Sequence, residues 1–353
     1  MAESGWEAIL VSAGTDLRYL TGYNAHPSER LTCLVVPAVG PPVLVLPELE
    51  APLAAAAGVT VAVRPWAETE DPFEIVAAQL RAIGRAGTVG LGNRMWAEHA
   101  LKLGTATGGR LELAGPLMAC LRMRKDGAEV AALLAAGQAI DRVHARMGEW
   151  LRPGRTERAV GRDIAEAIVA EGHERAEFTI VGSGPNGASP HHDLSDRLIE
   201  TGDLVVVDIG GVNEAGYCSD STRTYVAGGR AAPEISDCYA VLQAAQDAAC
   251  RAVRPGITAE AVDATARHII EEAGFGANFI HRTGHGIGLD VHEDPYIVSG
   301  NSIALEPGMA FSIEPGIYLP GRYGARIEDI VICTAVGVER LNTRSRDLVT
   351  LDA

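Results

Sequence analysis

The sequence has 353 residues, 47% apolar and 22% charged, which is typical of a soluble globular protein and favours two domains over one. Its 46 acidic and 30 basic residues give a formal net charge of −16, which argues against nucleic acid as a partner because phosphates would be repelled. No apolar run reaches the roughly 18 residues of a membrane span, and the six cysteines form no CxxC pair, so we expect a cytoplasmic protein without a membrane partner.

The first third of the sequence predicts a small α/β domain. Short apolar runs such as 8–12 have the composition of buried strands and alternate with helix-like stretches such as 73–83. A charged segment ending at Gly127 resembles a linker. We therefore predict an N-terminal domain at 1–123 and a second domain at 124–353.

The second domain contains an internal repeat. Arg-Pro-Gly at 152–154 recurs at 254–256, an offset of 102 residues, and Thr156 recurs as Thr258. In each copy a long amphipathic helix leads into the Arg-Pro-Gly turn, and the threonine is placed to cap the next helix. The pattern predicts a duplicated unit of two helices followed by strands.

Strand-like sequence follows each helix pair. The segments are 178–182, 204–209 and 217–226 in the first copy, and 279–282, 310–318 and 326–333 in the second. Helices outside and strands inside would leave a shallow cleft between the two copies. Both copies would then contribute to a site in that cleft.

Acidic residues and a histidine interrupt this strand-like sequence, where buried charges need a partner or a metal. The candidate ligands are Asp208, Asp220, His285, Glu314 and Glu328. Oxygen-rich ligands with one imidazole suit Mn²⁺, Co²⁺ or Zn²⁺. Four carboxylates are neutralised by two divalent ions, whereas one ion would leave about half of their charge uncompensated. The alternative is a set of solvated or salt-bridged surface carboxylates.

For four other acidic and histidine residues we expect no role in the site. Glu306 also belongs to a Glu-Pro-Gly sequence, but it follows a polar stretch. We therefore expect it to lie in a turn that leads into the next strand. His192 is expected at the surface beside His191. His144 and His268 lie on predicted helices and are expected to be structural or exposed.

The order of several motifs resembles the metallopeptidases with the pita-bread fold, which include aminopeptidase P, prolidase and methionine aminopeptidase. The motifs are Ser-Gly-Pro-Asn at 183–186 with Pro-His at 190–191, Asp-Ile-Gly at 208–210, Cys-Ser-Asp at 218–220, Gly-His-Gly-Ile-Gly at 284–288 with His-Glu at 292–293, Glu-Pro-Gly at 314–316 and Arg-Ile-Glu-Asp at 326–329. The match is strong over 126–335. The resemblance implies an α+β catalytic domain with a pseudo-two-fold duplication, the creatinase/aminopeptidase fold, preceded by a smaller α/β domain.

The resemblance also implies how the metal ligands divide. Asp220 and Glu328 would bridge the two ions, Asp208 would complete one coordination sphere, and His285 and Glu314 would complete the other. Glu314 would also act as general base. Asp208 and Asp220 are twelve residues apart where many relatives have eleven, so we expect one extra residue in the turn between them.

Further site residues follow from the same resemblance. His191 and His292 would flank the substrate and assist catalysis. His281 would line the cleft, and Arg326 would brace a metal carboxylate and border the substrate site. We place Tyr296 among the substrate-binding residues, because archaeal prolidases often carry arginine at this position, four residues after the equivalent of His292.

These residues favour a dinuclear-metal hydrolase, with Mn²⁺ first among the candidate metals. An N-terminal domain and a complete ligand set favour the Xaa-Pro peptidases, in which a metal-bridged hydroxide attacks the bond before proline. Tyr296 favours an aminopeptidase P-like enzyme acting on peptides with proline second. The alternatives are an Xaa-Pro dipeptidase (prolidase) and a non-catalytic peptidase-like binding module. Family members are commonly oligomers, so we expect a homodimer.

Overall fold

The computed structural model describes residues 4–83 and 87–352. The chain separates into two compact units, Met1–Arg122 and Met123–Ala353. In the described ranges, no helix is long and apolar enough to cross a membrane.

The first unit is an α/β domain built on a six-stranded mixed sheet. Its elements are β1 (Trp6–Ser12), α1 (Thr15–Thr21), β2 (Cys33–Pro37), β3 (Val43–Pro47), α2 (Ala51–Ala56), β4 (Ala62–Trp66), α3 (Pro72–Ala82), β5 (Thr88–Leu91), α4 (Ala97–Thr107), β6 (Arg110–Leu113) and α5 (Gly115–Arg122). The strand order is β4-β3-β2-β1-β5-β6. Strand β1 is central, and its side chains alternate between two cores, with Ile9 and Val11 in one and Ala8 and Leu10 in the other. The predicted α/β character of this unit is confirmed.

In its described residues, 123–352, the second unit contains three antiparallel or mixed sheets flanked by four long helices. Its elements are α6 (Gly127–Ala145), α7 (Glu157–Ala170), β7 (Arg175–Ser183), β8 (Leu204–Val212), β9 (Ser221–Ala227), α8 (Pro233–Ala252), α9 (Ala259–Glu272), β10 (Gly284–Gly286), β11 (Glu293–Ile297), β12 (Ala310–Ile313), β13 (Gly316–Leu319), β14 (Tyr323–Arg326), β15 (Asp329–Thr334), β16 (Gly337–Arg340) and β17 (Val349–Leu351). The sheets have the orders β17-β9-β8-β7, β11-β10-β12-β15-β16 and β13-β14.

The predicted duplication of this unit is confirmed in hydrogen-bonding detail. The hydroxyl of Thr156 accepts the amide of Ala159 at 3.1 Å at the start of α7, and Thr258 accepts the amide of Ala261 at 3.3 Å at the start of α9. In both copies, the turn before the capping threonine also forms a backbone hydrogen bond with a later segment. Gly154 donates to the Ile199 carbonyl and Gly256 to the Leu305 carbonyl, both at 2.8 Å.

The side chains of β8 alternate between the helix-covered face of its sheet and the opposite face. Val205, Val207 and Ile209 pack with residues of α6 and α7 in one core cluster. Because side chains alternate along a strand, those of Val206 and Asp208 point to the opposite face. Every residue of β8 is buried, so Asp208 is a carboxylate held inside the protein.

Several predicted strands are shorter in the structure, and the breaks coincide with acidic residues. The predicted strand 310–318 is divided at Glu314 and Pro315, where proline removes the amide that would continue the ladder. The predicted strand 326–333 is divided at Ile327 and Glu328. The predicted strand 279–282 is absent, and β10 begins two residues later. The carboxylates of Glu314 and Glu328 therefore lie between strands, where the chain turns, not within them.

Candidate metal centre

Asp208 lies on β8, and Asp220 directly precedes the adjacent strand β9, on the same face of the sheet. Asp208 pairs with Thr222 across the β8–β9 ladder, and Asp220 precedes Thr222 by two residues. The same register continues to the bridge between Val212 and Cys218, so no bulge separates the two aspartates. The five-residue turn after Val212 accommodates any extra residue without moving either side chain.

His285 and Glu314 come together from the second copy of the repeat. The amide of Glu314 donates to the Thr283 carbonyl at 2.7 Å, and Glu314 Oε1 lies 3.2 Å from His285 Nε2. Ser312 lies between them, accepting the His285 amide at 3.0 Å and donating to Glu314 Oε1 at 3.1 Å. His285 Nδ1 lies 3.1 Å from the Gly286 carbonyl, which assigns the ring proton to Nδ1. Nε2 is therefore the nitrogen with a free lone pair, and it lies 3.5 Å from Asp220 Oδ2.

Glu328 completes the group from the loop between β14 and β15. Asp220, His285 and Glu328 each offer one ligand-type atom, and these atoms lie within 4.8 Å of one another. Glu328 Oε2 accepts the Thr222 hydroxyl at 2.8 Å. The group thus joins side chains from both copies of the repeat.

The donor atoms in this centre fit divalent cations. Asp208 Oδ1 and Glu328 Oε1 are buried and have no hydrogen-bond partner in the described structure. Burial, followed by the charge of Asp208, raises the pKa of Asp220 well above its usual range, and burial and Asp220 do the same for the pKa of Glu328. Carboxylates this close can all ionise only if positive charge lies between them, and a pair of divalent ions would supply that charge.

Arg326 connects the acidic group to a histidine at its edge. The buried guanidinium forms an ion pair with Asp208 Oδ2 and donates from Nη1 to the Tyr318 hydroxyl at 2.8 Å. That hydroxyl lies 2.9 Å from His281 Nε2, and His281 Nδ1 lies 2.7 Å from the Arg282 carbonyl. Burial raises the pKa of Tyr318 to about 12 and lowers the pKa of His281, so the phenol donates its proton to a neutral ring. Arg326 thus contacts a predicted ligand and fixes, through Tyr318, the orientation of His281.

A cavity of about 1030 Å³ opens onto this group. Its lining includes the five predicted ligands, His191, His281, His292, Arg326, four other charged residues (Arg158, Glu177, Asp193 and Arg282) and the apolar side chains of Phe178, Ile180, Leu194 and Val291. The ring of His292 meets that of His285 edge to face, with centroids 4.1 Å apart. Tyr296 is not one of the described residues that line the cavity. Its ring instead packs against the guanidinium of Arg282, 4.6 Å from the ring centroid.

The sequence patterns gave no indication of a further buried carboxylate near the cavity, outside the predicted ligand set. Glu157 is fully buried in the first turn of α7 and accepts hydrogen bonds from Ser183, Asn186 and Ser195. Its Oε2 also lies 2.8 Å from His192 Nε2. His192 is therefore largely buried, with 16% of its side chain exposed, and not at the surface as expected. The one sequence signal for this cluster was an acidic residue, Glu157, in the first turn of a predicted helix. Acidic residues are common at that position in helices that have no such cluster.

The other residues expected to be structural behave as predicted. His144 is buried on α6, between the Tyr225 hydroxyl and the Ser221 carbonyl. His268 is exposed on α9. Glu306 lies in a turn before β12 and forms an exposed ion pair with Arg124 at 2.7 Å.

Comparison with known proteins relates both units to described families. The profile of metallopeptidase family M24 matches residues 131–335, and that of the creatinase/prolidase N-terminal domain matches residues 1–123. A probable dipeptidase, PepE, of Mycobacterium tuberculosis is 52% identical over 99% of this chain and 93% of its own length. An Xaa-Pro dipeptidase of Lactobacillus delbrueckii subsp. lactis is 36% identical over 99% of this chain and 96% of its own length.

A solved structure has the same fold over the whole chain. The crystal structure of dipeptidase PepE from Mycobacterium ulcerans superposes with a TM-score of 0.94 at 52% identity, covering 100% of this chain and 95% of that one. The likeness extends over both units.

Proposed function

The chain belongs to metallopeptidase family M24, and we propose that within this family it is an Xaa-Pro dipeptidase. Tyr296 favours an aminopeptidase P-like enzyme when the sequence is taken alone. The relatives named as dipeptidases support the alternative that the sequence left open, the dipeptidase. The two activities cleave the same bond and differ in whether further residues are attached beyond the proline.

The observation that carries the metal-dependent part of this proposal is the pair of buried carboxylate oxygens without partners, Asp208 Oδ1 and Glu328 Oε1. We assign Asp208, Asp220, His285, Glu314 and Glu328 as the residues that would hold two divalent ions. Mn²⁺ fits this oxygen-rich set, and Co²⁺ and Zn²⁺ are alternatives. When bound, such ions polarise the scissile carbonyl and lower the pKa of water.

Glu314 is the residue we assign to proton transfer. Its Oε1 accepts the Ser312 hydroxyl and lies beside His285 Nε2, whereas its Oε2 has no hydrogen-bond partner in the described structure. Oε2 is thus the atom that can accept a proton from water and return it to the proline nitrogen as the bond breaks. Because Ser312 and the Glu314 amide are both hydrogen-bonded within the fold, the carboxylate stays in place while it exchanges that proton.

Three histidines of the cavity orient the substrate in this proposal. His281 is held at both ring nitrogens, by Tyr318 and by the Arg282 carbonyl, so its position is set before substrate binds. His292 packs on His285, and His191 lies in the same lining. The rings of His191 and His292 can hydrogen-bond the substrate carbonyl or the oxyanion that forms from it, whereas His281, with both ring nitrogens engaged, contributes by packing.

The proposal is tested with Glu314→Gln and a matched control, Glu306→Gln. Both residues stand in Glu-Pro-Gly sequences, but Glu306 is an exposed partner of Arg124 outside the cavity. With metal content equal to that of the wild type, Glu314→Gln should lower kcat on an Xaa-Pro dipeptide at least about 100-fold. Glu306→Gln should retain wild-type turnover. Normal turnover by Glu314→Gln at full metal content would exclude this assignment.

The second candidate is the aminopeptidase, and the size of the cavity favours it. A volume of about 1030 Å³ is at the upper end of typical small-ligand sites and leaves space beyond a dipeptide. Cleavage of Xaa-Pro and Xaa-Pro-Yaa with the same Xaa distinguishes the two. A higher kcat/KM on the dipeptide supports the proposal, and a higher value on the tripeptide supports the aminopeptidase.

A further inference from the structure

Glu157 is a buried carboxylate that neither the metal site nor the proposed proton transfer uses. Its side chain is 0% exposed. Burial acts to raise the pKa of Glu157, but hydrogen bonds from Ser195 and Ser183 outweigh it, so the pKa is lowered and the group is ionised. An ionised carboxylate is buried at a large cost in free energy unless donors surround it. The residues that donate to Glu157 therefore show what it holds in place.

The two oxygens of Glu157 bind the two ends of one segment of the chain. Oε1 accepts the amide and the hydroxyl of Ser183, at the end of β7, at 2.8 and 2.7 Å. Oε2 accepts the Ser195 hydroxyl and lies 2.8 Å from His192 Nε2. The amide of Asn186 donates to both oxygens at 3.1 Å. Because the two oxygens belong to one rigid planar group, these bonds fix the start and the end of the segment relative to each other.

His191 lies within this segment, and its own ring is not held. The residue is exposed in the lining of the cavity, and its ring forms no hydrogen bond with any described residue. Both of its neighbours are held. The Pro190 carbonyl accepts Arg326 Nη1 at 3.2 Å, and the ring of His192 is bound to Glu157. The position of His191 in the cavity therefore depends on these two contacts.

The second copy of the repeat contains a similar contact. Asp263 on α9 accepts the amide and the hydroxyl of Thr283, which directly precedes β10, at 3.1 and 2.7 Å. The other oxygen of Asp263 binds Arg267 on the same helix at 3.0 Å. In the first copy, by contrast, the second oxygen of Glu157 reaches across to His192. The contact with His192 is thus what distinguishes the first copy.

We infer that Glu157 and His192 form a positioning pair for His191, and this inference rests on the proposed peptidase function. Glu157 holds the ring of His192, and the backbone of His192 in turn holds His191, the group that reaches the substrate carbonyl or the oxyanion. Among the described residues, neither member of the pair hydrogen-bonds a predicted metal ligand. Loss of the pair should therefore displace His191 and leave the metal site intact.

A double-mutant cycle tests the inference, with kcat on an Xaa-Pro dipeptide and metal content measured for each variant. His192→Ala should lower kcat about 10-fold at unchanged metal content, because a misplaced hydrogen-bond donor stabilises the transition state less well. His191→Ala should lower kcat about 100-fold, since it removes that donor. In the His191→Ala background, His192→Ala should cause less than about a twofold further loss, because the residue that it positions is gone.

Conservative substitutions separate the hydrogen bond from the space that the ring fills. The side-chain amide of His192→Gln can donate near the position of Nε2 and should recover most of the wild-type kcat. His192→Asn is too short to donate there and should behave as His192→Ala; it replaces that variant in the cycle if the alanine variant does not fold. His268→Ala removes an exposed histidine of α9 and should keep wild-type kcat.

Two results would overturn the inference and leave the proposed function standing. A 10-fold loss that persists in the His191→Ala background would show that His192 acts independently of His191. Wild-type kcat in both His192→Ala and His192→Asn would show that the contact with Glu157 does not position His191. Wild-type enzyme that cleaves no Xaa-Pro dipeptide would instead overturn the proposed function, on which this inference rests.

Discussion

Thr222 and Glu328 are 106 residues apart in the chain and are joined by two hydrogen bonds. The Thr222 hydroxyl donates to Glu328 Oε2 at 2.8 Å, and the Glu328 amide donates to the Thr222 carbonyl at 3.1 Å. Thr222 belongs to the first copy of the repeat, opposite Asp208, and Glu328 to the second. Thr222 of the first copy thus orients Glu328, a predicted ligand of the second copy. Glu328 Oε1 has no hydrogen-bond partner among the described residues.

Thr222→Val should weaken metal binding about 10- to 100-fold, because a ligand that loses its outer hydrogen bond is free to rotate. Thr222→Ser keeps the hydroxyl and should bind metal as the wild type does. Titration calorimetry of metal into metal-free protein measures both. Equal affinities in the valine and serine variants would contradict this role for the hydroxyl.

Tyr318→Phe should reduce kcat/KM roughly 10-fold with little change in metal affinity. The phenol oxygen bridges Arg326 and His281, and its loss frees His281 while Asp208 keeps its ion pair with Arg326. Steady-state kinetics with parallel metal analysis separates the two effects. A loss of bound metal equal to the loss of activity would show that Tyr318 acts on the metal ligands instead.

The family and the fold could be predicted from the sequence because the informative residues are close together along the chain. A valine run that ends on Asp208 and the Arg-Pro-Gly turns repeated at 152–154 and 254–256 are local patterns. The resemblance to the pita-bread metallopeptidases and the mixed fold are confirmed. The assignment of individual ligands and of catalytic residues stays a prediction.

The supporting contacts could not be predicted, because they join distant segments through ordinary side chains. Tyr318 is 37 residues from His281, and no local pattern distinguishes it from any other strand tyrosine. In the sequence, Glu157 does not differ from other acidic residues at the start of a helix. Only the folded chain brings Ser183 and His192 into contact with it. The strand breaks at Glu314 and Glu328 were missed because the apolar pattern continues through them.

His144 should make the protein less stable in mild acid. Burial, followed by the charge of Arg223, lowers the pKa of His144 from 6.5 to about 3, so the folded protein keeps the ring neutral while the unfolded chain binds a proton. Stability is therefore present above pH 6.5 and is lost as the pH falls toward 3. Between pH 7 and 5 the wild type should lose about 2 kcal/mol more than His144→Gln.

Urea unfolding of both proteins at the two pH values measures this difference. His268→Gln, which removes an exposed histidine from α9, is the matched control and should follow the wild type. If His144→Gln and the wild type lose the same stability between pH 7 and 5, buried His144 is not the source of acid sensitivity.

Gly324→Ala should strongly destabilise the catalytic unit. A Cβ at Gly324 would lie 2.0 Å from the Gly187 carbonyl oxygen and 2.8 Å from Cδ1 of Tyr318, and the backbone oxygen cannot easily move away. Gly127→Ala places a methyl group in open space at the start of α6 and should be neutral or slightly stabilising. Thermal unfolding should show a melting temperature several degrees lower for Gly324→Ala alone. Equal melting temperatures would contradict the close approach of the two glycines.

We propose that this chain hydrolyses Xaa-Pro dipeptides with two divalent ions held by Asp208, Asp220, His285, Glu314 and Glu328. The most direct measurement is the rate of Xaa-Pro cleavage against the number of ions bound, as Mn²⁺, Co²⁺ or Zn²⁺ is titrated into chelator-treated protein. We expect no cleavage without metal, full activity at about two ions per chain, and neither full metal binding nor activity in Asp220→Ala. Full activity in the metal-free protein, or two bound ions with no cleavage of any Xaa-Pro dipeptide, would contradict it.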